Sequence, residues 1–330
     1  MDSKTDDVVF FYYPESGFQH RVHWYLKLAE VSYSECLQPA CMPRPDLAAL
    51  GVSYRRIPIL SIGKHIYCDS NIILRVLQDE FPLEHESLDQ AERGMQALFR
   101  AWSLESGLFR HAADFIPFEH FSLDSDPNFV ADRKDYMSPA PFDPSEMIKA
   151  RPESMTYLRS ACEMLETMFL ADGRNWILGS KKGPSVVDIE AVFPLYLAFL
   201  VWGAPSEVIQ ATCPKTYAWI LRFHQAVTDA SGSSAPKPKS LTGEEVKKRI
   251  LDESAPESDE TYISAMGIDE TDSTGLTYGQ MVEVWPTDTG SNSRQRGKLV
   301  GLSPDEVCVR NEMGIFVHFP RWNYGVEPVE

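Results

Sequence analysis

The chain has 330 residues, with 31 Lys and Arg against 48 Asp and Glu, for a net charge of −17. That length suits two or three domains, each with its own core, and that charge argues against a nucleic-acid or anionic-membrane partner. No apolar run is long enough to span a bilayer, and the polar, acidic start MDSKTDD is unlike a secretory or mitochondrial leader, so the expected compartment is the cytosol.

Six cysteines without a CxxC pair suit reduced thiols rather than a disulfide framework. No metal site is expected. His20 and His23 share a helix face, but no further ligand set accompanies them, and they read as solvated helix histidines.

Val8 to Tyr13 is an apolar and aromatic run closed by Pro14, the pattern of a buried central strand. From Phe18, the residues Val22, Leu26 and Ala29 recur at helical spacing, with Trp24, Tyr25 and Leu28 widening the stripe. The intervening turn, Pro14 to Gly17, delivers Ser16 to the first turn of that helix. Its hydroxyl serves there either as an N-cap or as a donor to a thiolate favoured by the helix dipole. Tyr33 to Leu37 reads as a second strand, and Pro39 to Pro45 as a proline-punctuated loop before a short helix around Asp46 to Leu50.

Ile57 to Ser70 holds two β-type runs joined by Gly63. Pro58 cannot donate to a ladder and belongs on an edge or at a special turn; a cis Ile57-Pro58 bond leaves the Ile57 backbone free to pair with an extended, peptide-like ligand. Asp69 and Ser70 precede the helical pattern Ile72, Ile73, Val76, Leu77. They are either a plain N-cap or a pair that holds a ligand at the positive end of the helix. The order β-α-β-α-β-β-α, ending at Pro82, describes an α/β sandwich on one small sheet.

From Leu88 the spacing turns helical. Leu88, Ala91, Met95, Leu98 and Trp102 form one amphipathic stripe, and Met155, Leu158, Cys162, Leu165 and Phe169 another. Between them, roughly Phe115 to Arg151 reads as a long loop placed to cover a pocket between sheet and helices. Ser185 and Asp188 form a capping pattern for a helix carrying Ile189, Val192, Phe193, Tyr196 and Leu200, the expected core of a second, all-helical domain. Pro214 opens a further helix with Tyr217, Ile220, Leu221 and His224, and Trp219 reads as core.

Past Ser231 the composition turns to Ser, Pro and Lys, and Thr242 with Glu245 forms a capping box. Residues 252–275 contain eight acidic residues and no Lys or Arg, the mark of a solvated, partly disordered linker. Gly279 to Trp285, Gly297 to Leu302, Glu306 to Arg310 and Ile315 to Phe319 then predict a small all-β, SH3-like module. This module either extends a pocket on the body of the protein or binds a partner, and Trp322 and Tyr324 serve that role or close its core.

The turn Ser16-Gly17-Phe18, the pairs Ile57-Pro58 and Asp69-Ser70, and WILG followed by PSVVDI are specific as a set. With them, residues 8–230 resemble the cytosolic glutathione transferases. The stretch MPRPDLAALGVSYRRIPIL looks closest to glutathione-transferase-like proteins of filamentous fungi, several of them linked to natural-product pathways. The resemblance implies an α/β thioredoxin-like, glutathione-binding domain over 1–82 and an all-α domain over 83–230. An acidic linker with a short helix over 231–277 and the added β module over 278–330 lie beyond the ordinary family architecture.

It also implies roles. Ser16 sits where the family keeps the group that contacts the glutathione sulfur, and Ile57, ahead of Pro58, where the backbone binds the cysteinyl unit. Asp69 and Ser70 match the pair that holds the γ-glutamyl carboxylate and amine, and Arg56 is a candidate for the glycine carboxylate. Two departures bear on this. Gly17 stands where the family often has proline and Gln19 where a small residue is common, which loosens the turn and leaves Tyr12 or Tyr13 as alternative hydroxyls. Cys68, beside the Asp-Ser pair, reads as packing.

The implied function is a cytoplasmic enzyme that activates the glutathione thiolate for conjugation to, or isomerisation of, a bulky hydrophobic small molecule. Relatives are usually homodimers. The alternatives are a non-catalytic scaffold on the same fold and a ligand carrier.

Overall fold

The computed structural model describes residues 7–84, 86–120, 126–179, 182–231, 237–251 and 266–329. The start MDSKTDD up to Asp6, and residues 252–265 of the expected acidic linker, lie outside the described residues.

The first unit follows the expected order: β1 (Val8–Tyr12), α1 (Gln19–Leu28), β2 (Ser34–Leu37), α2 (Pro45–Ala48), β3 (Ile59–Ile62), β4 (His65–Cys68) and α3 (Ser70–Glu80). Every residue of β1 is buried, as its unbroken apolar run demands. β2 pairs with it in parallel and β3 antiparallel, and β4 closes the hairpin on β3.

The helical unit comprises α4 (Gln90–Leu104), α5 (Leu108–Ala113), α6 (Pro127–Met137), α7 (Pro144–Met164), α8 (Val186–Tyr196), α9 (Glu207–Thr212) and α10 (Pro214–Ala230). α8 is buried along its whole length and opens with the expected capping box. The Asp188 carboxylate there accepts from the backbone N–H groups of Ile177 and Ser185 and from the Trp219 indole, each at 2.9 Å, and Trp219 is itself core. The long loop expected over Phe115 to Arg151 is partly helix. Asp126 and Asp143 each cap a helix whose first residue is a proline, so the segment's Asp-Pro pairs are helix starts.

His20 and His23 are not solvated. His23 shares hydrogen bonds with Gln19 at 2.5 Å and Tyr33 at 2.7 Å, while His20 packs against the Trp24 and Tyr196 rings.

The C-terminal third covers both edges of the small sheet. β5 (Lys239–Ser240) adds in parallel to β2, and α11 (Gly243–Ile250), opened by the Thr242–Glu245 box, packs on α2. β6 (Met281–Pro286), β7 (Gln295–Leu302), β8 (Glu306–Arg310), β9 (Phe316–Pro320) and β10 (Tyr324–Pro328) form an antiparallel meander whose last strand returns to the first, the strand order of an SH3-like unit. That unit does not stand apart. β9 pairs in parallel with β4, so the ten strands among the described residues form one sheet in the order β10-β6-β7-β8-β9-β4-β3-β1-β2-β5.

Polar contacts fix the seam. His65 and His318 share a buried hydrogen bond at 2.7 Å, and His318 reaches Glu306 at 2.5 Å while Arg75 of α3 pairs with the same carboxylate. Asn311 donates to the Leu50 carbonyl at 2.8 Å. Gly51 beside it has φ +70, and a Cβ there would lie 2.9 Å from the Asn311 amide, so a side chain fits neither the conformation nor the space.

Burial, and secondarily Lys27, lowers His20 to about 4 and His23 to about 3. The unfolded chain takes up these protons near 6.5, whereas the fold excludes them until well below. Their contribution is therefore complete well above pH 6.5, shrinks below it, and is lost as the pH falls through about 4 for His20 and about 3 for His23. The thermal midpoint should drop between pH 7 and 4.5, and His23→Gln, which cannot titrate, should flatten part of that slope; equal slopes for the two proteins would contradict the assignment.

Candidate functional site

Strand register assembles the site. Phe11 pairs with Ile59, and Ile59 with Cys68, so the chain leaving β1, the chain entering β3 and the chain leaving β4 all lie at one end of the sheet. Those segments are Tyr13 to Gly17, Arg56 to Pro58, and Asp69 to Ser70. Tyr12 pairs with Leu37 of the parallel strand β2, which brings the Gln38 to Arg44 loop to the same end.

Ser16 is buried, 5% exposed, and its backbone N–H donates to the Tyr13 carbonyl at 3.1 Å. It is not the helix cap: α1 opens at Gln19 with Phe18 as N-cap and no side chain capping it. Gly17 does more than loosen this turn. A Cβ there would lie 3.1 Å from both Leu197 and Trp202, so the missing side chain lets the helical unit close on the turn. Around it, Phe18 lies 4.6 Å from Phe109, and Phe109 6.1 Å from Trp202, between ring centres.

The two tyrosines ahead of the turn have other partners. Tyr12 donates to Glu35 at 2.7 Å, and burial together with that bond holds its phenol well above the ordinary value. Its one proton is thus spent within the sheet. Tyr13 accepts from Arg133 of α6 at 3.4 Å.

The Ile57-Pro58 peptide is cis, and Ile57 lies outside both ladders of β3. Asp69 has φ 103, a region that side chains rarely occupy, and from there its carboxylate accepts the Asn71 N–H at 2.8 Å as the cap of α3. The cap and the candidate ligand-holding group are one residue. Cys68 is fully buried, and burial followed by the Asp69 charge keeps its thiol protonated; packing is its role.

Ser70 has a partner that the sequence reading missed. Arg21 of α1 donates to the Ser70 hydroxyl at 2.6 Å and to the Asn71 amide oxygen at 3.0 Å, and it forms an ion pair with Glu190 of α8. Arg21 is 0% and Glu190 2% exposed. The signal was present: one cation on an otherwise apolar helix face, and one anion within a helix that is apolar apart from its capping Asp188, each demand a buried counterpart.

Arg56 is engaged from the C-terminal unit. It donates through Nε to the Thr289 carbonyl at 2.9 Å, pairs with Asp288, and lies 3.9 Å from Asp69. Its Nε and Nη2 are thus taken up by the Asp288–Thr289 segment. The Asp69 carboxylate also accepts from the Tyr324 hydroxyl at 3.0 Å, and Tyr324 lies 2.6 Å from the Tyr54 hydroxyl.

Helix α6 locks the rim. Arg55 pairs with Asp132 and Asp135, its guanidinium lies 5.2 Å from the Tyr136 ring centre, and the Tyr136 carbonyl accepts the Gly290 N–H at 2.6 Å.

Residues 10–85 match the family described as glutathione S-transferase, N-terminal domain, and residues 111–232 match a domain of unknown function. A GST-like protein from Pseudomonas syringae is 22% identical, with a TM-score of 0.70 over 98% of this chain and 100% of that one. The chain has the glutathione S-transferase fold. Because that likeness spans nearly all of both chains, the shared transferase fold includes the strand-rich unit at the C-terminus. Human glutathione-S-transferase T1-1 is 16% identical over 78% of this chain and 97% of its own, with a TM-score of 0.49. A theta class glutathione S-transferase from Xanthomonas axonopodis pv. citri, solved with glutathione bound, is 18% identical over 70% and 100%, with a TM-score of 0.47. No curated protein matches the chain.

Removing Arg21 strands Glu190 without a partner in the transferase fold's interior. Arg21→Leu should cost roughly 3–5 kcal/mol in chemical denaturation, a penalty typical of an uncompensated buried charge. A loss below about 1 kcal/mol would show that the pair is not closed to water.

Proposed function

We propose that this chain is a glutathione-dependent enzyme of the conjugating or isomerising kind. The observation that carries the reading is the Asp69 carboxylate, held at an unfavourable backbone angle at the N-terminus of α3, with Ile57 and Arg56 at the same end of the sheet. Strained backbone at the mouth of a helix is characteristic of ligand-holding positions.

In this reading Asp69 and Ser70 hold the γ-glutamyl end, the Ile57 backbone pairs with the cysteinyl unit, and the buried Ser16 hydroxyl donates to the sulfur. Arg56, whose Nη2 already holds Asp288, is the candidate for the glycine carboxylate. Bound glutathione supplies a thiolate nucleophile for an electrophilic carbon. A free thiol titrates near 8.5, and one hydroxyl donor beside a helix N-terminus lowers that by about one or two units. The aromatic group of Phe18, Phe109 and Trp202 against Gly17 supports a hydrophobic acceptor. Reversible addition of the same thiolate to a conjugated double bond gives isomerisation instead of conjugation.

The finer placement among fungal proteins of secondary metabolism rests on the residue 42–60 stretch, and a cytoplasmic setting on composition. A second reading, a non-catalytic scaffold or carrier, is favoured by one observation: Arg56 and Asp69 already have partners within the chain.

Calorimetric titration with glutathione and turnover of hydrophobic electrophiles separate the two. Ser16→Ala should retain glutathione binding while lowering turnover about a hundredfold, the usual effect of deleting one donor to a reacting anion, and Asp69→Ala should lose binding. Glutathione binding by the intact protein without turnover of any electrophile or isomerisable substrate would favour the carrier, and no binding would favour the scaffold.

A further inference from the structure

The chain leaving β9 and the chain leaving β6 reach the same end of the sheet as Asp69. β9 runs parallel to β4 with Tyr67 paired to His318, and Tyr324 at the start of β10 pairs with Pro286 at the end of β6. We propose that the C-terminal unit forms one wall of the glutathione site, with Tyr324 a positioning residue that aims the Asp69 carboxylate at the α-ammonium of the γ-glutamyl group. This rests on the glutathione reading above.

Hydrogen-bond direction gives the first argument. The Asp69 carboxylate only accepts, so Tyr324 donates its single proton to Asp69, and Tyr54 must then donate to Tyr324. The result is a directed chain, Tyr54 to Tyr324 to Asp69. Both phenols are buried, 2% and 5% exposed, and burial followed by the Asp69 charge keeps them protonated. With Oδ1 on the Asn71 N–H and Oδ2 on Tyr324, the carboxylate cannot swing, yet each oxygen keeps a second lone pair.

Charge gives the second. The cluster sets one guanidinium, Arg56, against two carboxylates, Asp69 and Asp288, with two neutral phenols beside them. One negative charge remains, and the carboxylate side chain at its centre is 14% exposed. A primary ammonium beside Asp69 completes the balance; a second anion does not. The loop from Asp288 to Gly290 holds Arg56 in place on its far side, through the Thr289 carbonyl.

The test compares binding of glutathione with binding of its analogue lacking the γ-glutamyl amino group. The intact protein should prefer glutathione by about tenfold or more, the worth of a charge-assisted contact. Tyr324→Phe should lose most of that preference by weakening glutathione while leaving the analogue unchanged, and Tyr54→Phe should lose part of it. A purely structural role would weaken both ligands together. Unchanged discrimination in Tyr324→Phe, or tighter glutathione binding, overturns the positioning role and leaves the glutathione reading intact. Binding of neither ligand by the intact protein overturns both. Should Tyr324→Phe fail to fold, Tyr54→Phe carries the same comparison, because it unseats the orienting donor without touching Asp69.

Discussion

The buried Arg21 guanidinium connects three parts of the molecule. It belongs to α1, donates to the first residues of α3 and pairs with Glu190 at the middle of α8. Each charge would be costly alone in that interior, and together they are tolerable only in this geometry. The thioredoxin-like half and the helical half are therefore held in one relative position, and Ser70 is aimed by the same contact. Packing alone would leave more latitude, because apolar surfaces slide at little cost where directed bonds do not.

Strand register supplies the rest. Four loops gather at one end of the sheet because β3 runs antiparallel to both β1 and β4 while β2 runs parallel to β1, and β9 adds further residues by running parallel to β4. The residues of the sheet end and the aromatic group behind Gly17 thus come from different units of the chain. Any dimer has to form without the edges of the four-stranded sheet, since β5 and β9 occupy both.

Much of this was legible in the residues. An unbroken apolar run gave β1, capping residues gave the starts of α3, α8 and α11, and the Ile57-Pro58 and Asp69-Ser70 pairs marked the end of the sheet where the loops gather. What escaped has a physical cause in each case. A segment rich in Pro, Asp and aromatics suits a loop as well as a set of capped helix starts, so α6 and the first turns of α7 passed for loop. The β4–β9 ladder leaves no local trace, since either strand alone reads as any buried strand. Tyr324 was noted for its ring, but its hydroxyl partner is set by that long-range pairing and no spacing rule reaches it. His23 looked solvated because helical periodicity reports the face of a residue and not which loop folds over it; Tyr33 does so here.

The same ladder governs how the molecule can be made. His65 meets His318 across 253 residues of chain, so the small sheet stays open along β4 until β9 has left the ribosome. Contacts of that separation form late, after the entropy of a long closure has been met. In the interval a buried-type strand presents bare N–H and C=O groups, the surface from which intermolecular β-pairing begins. A nascent or truncated chain is thus exposed to self-association at an edge that the finished protein conceals, and its yield depends on how soon the C-terminal strands arrive.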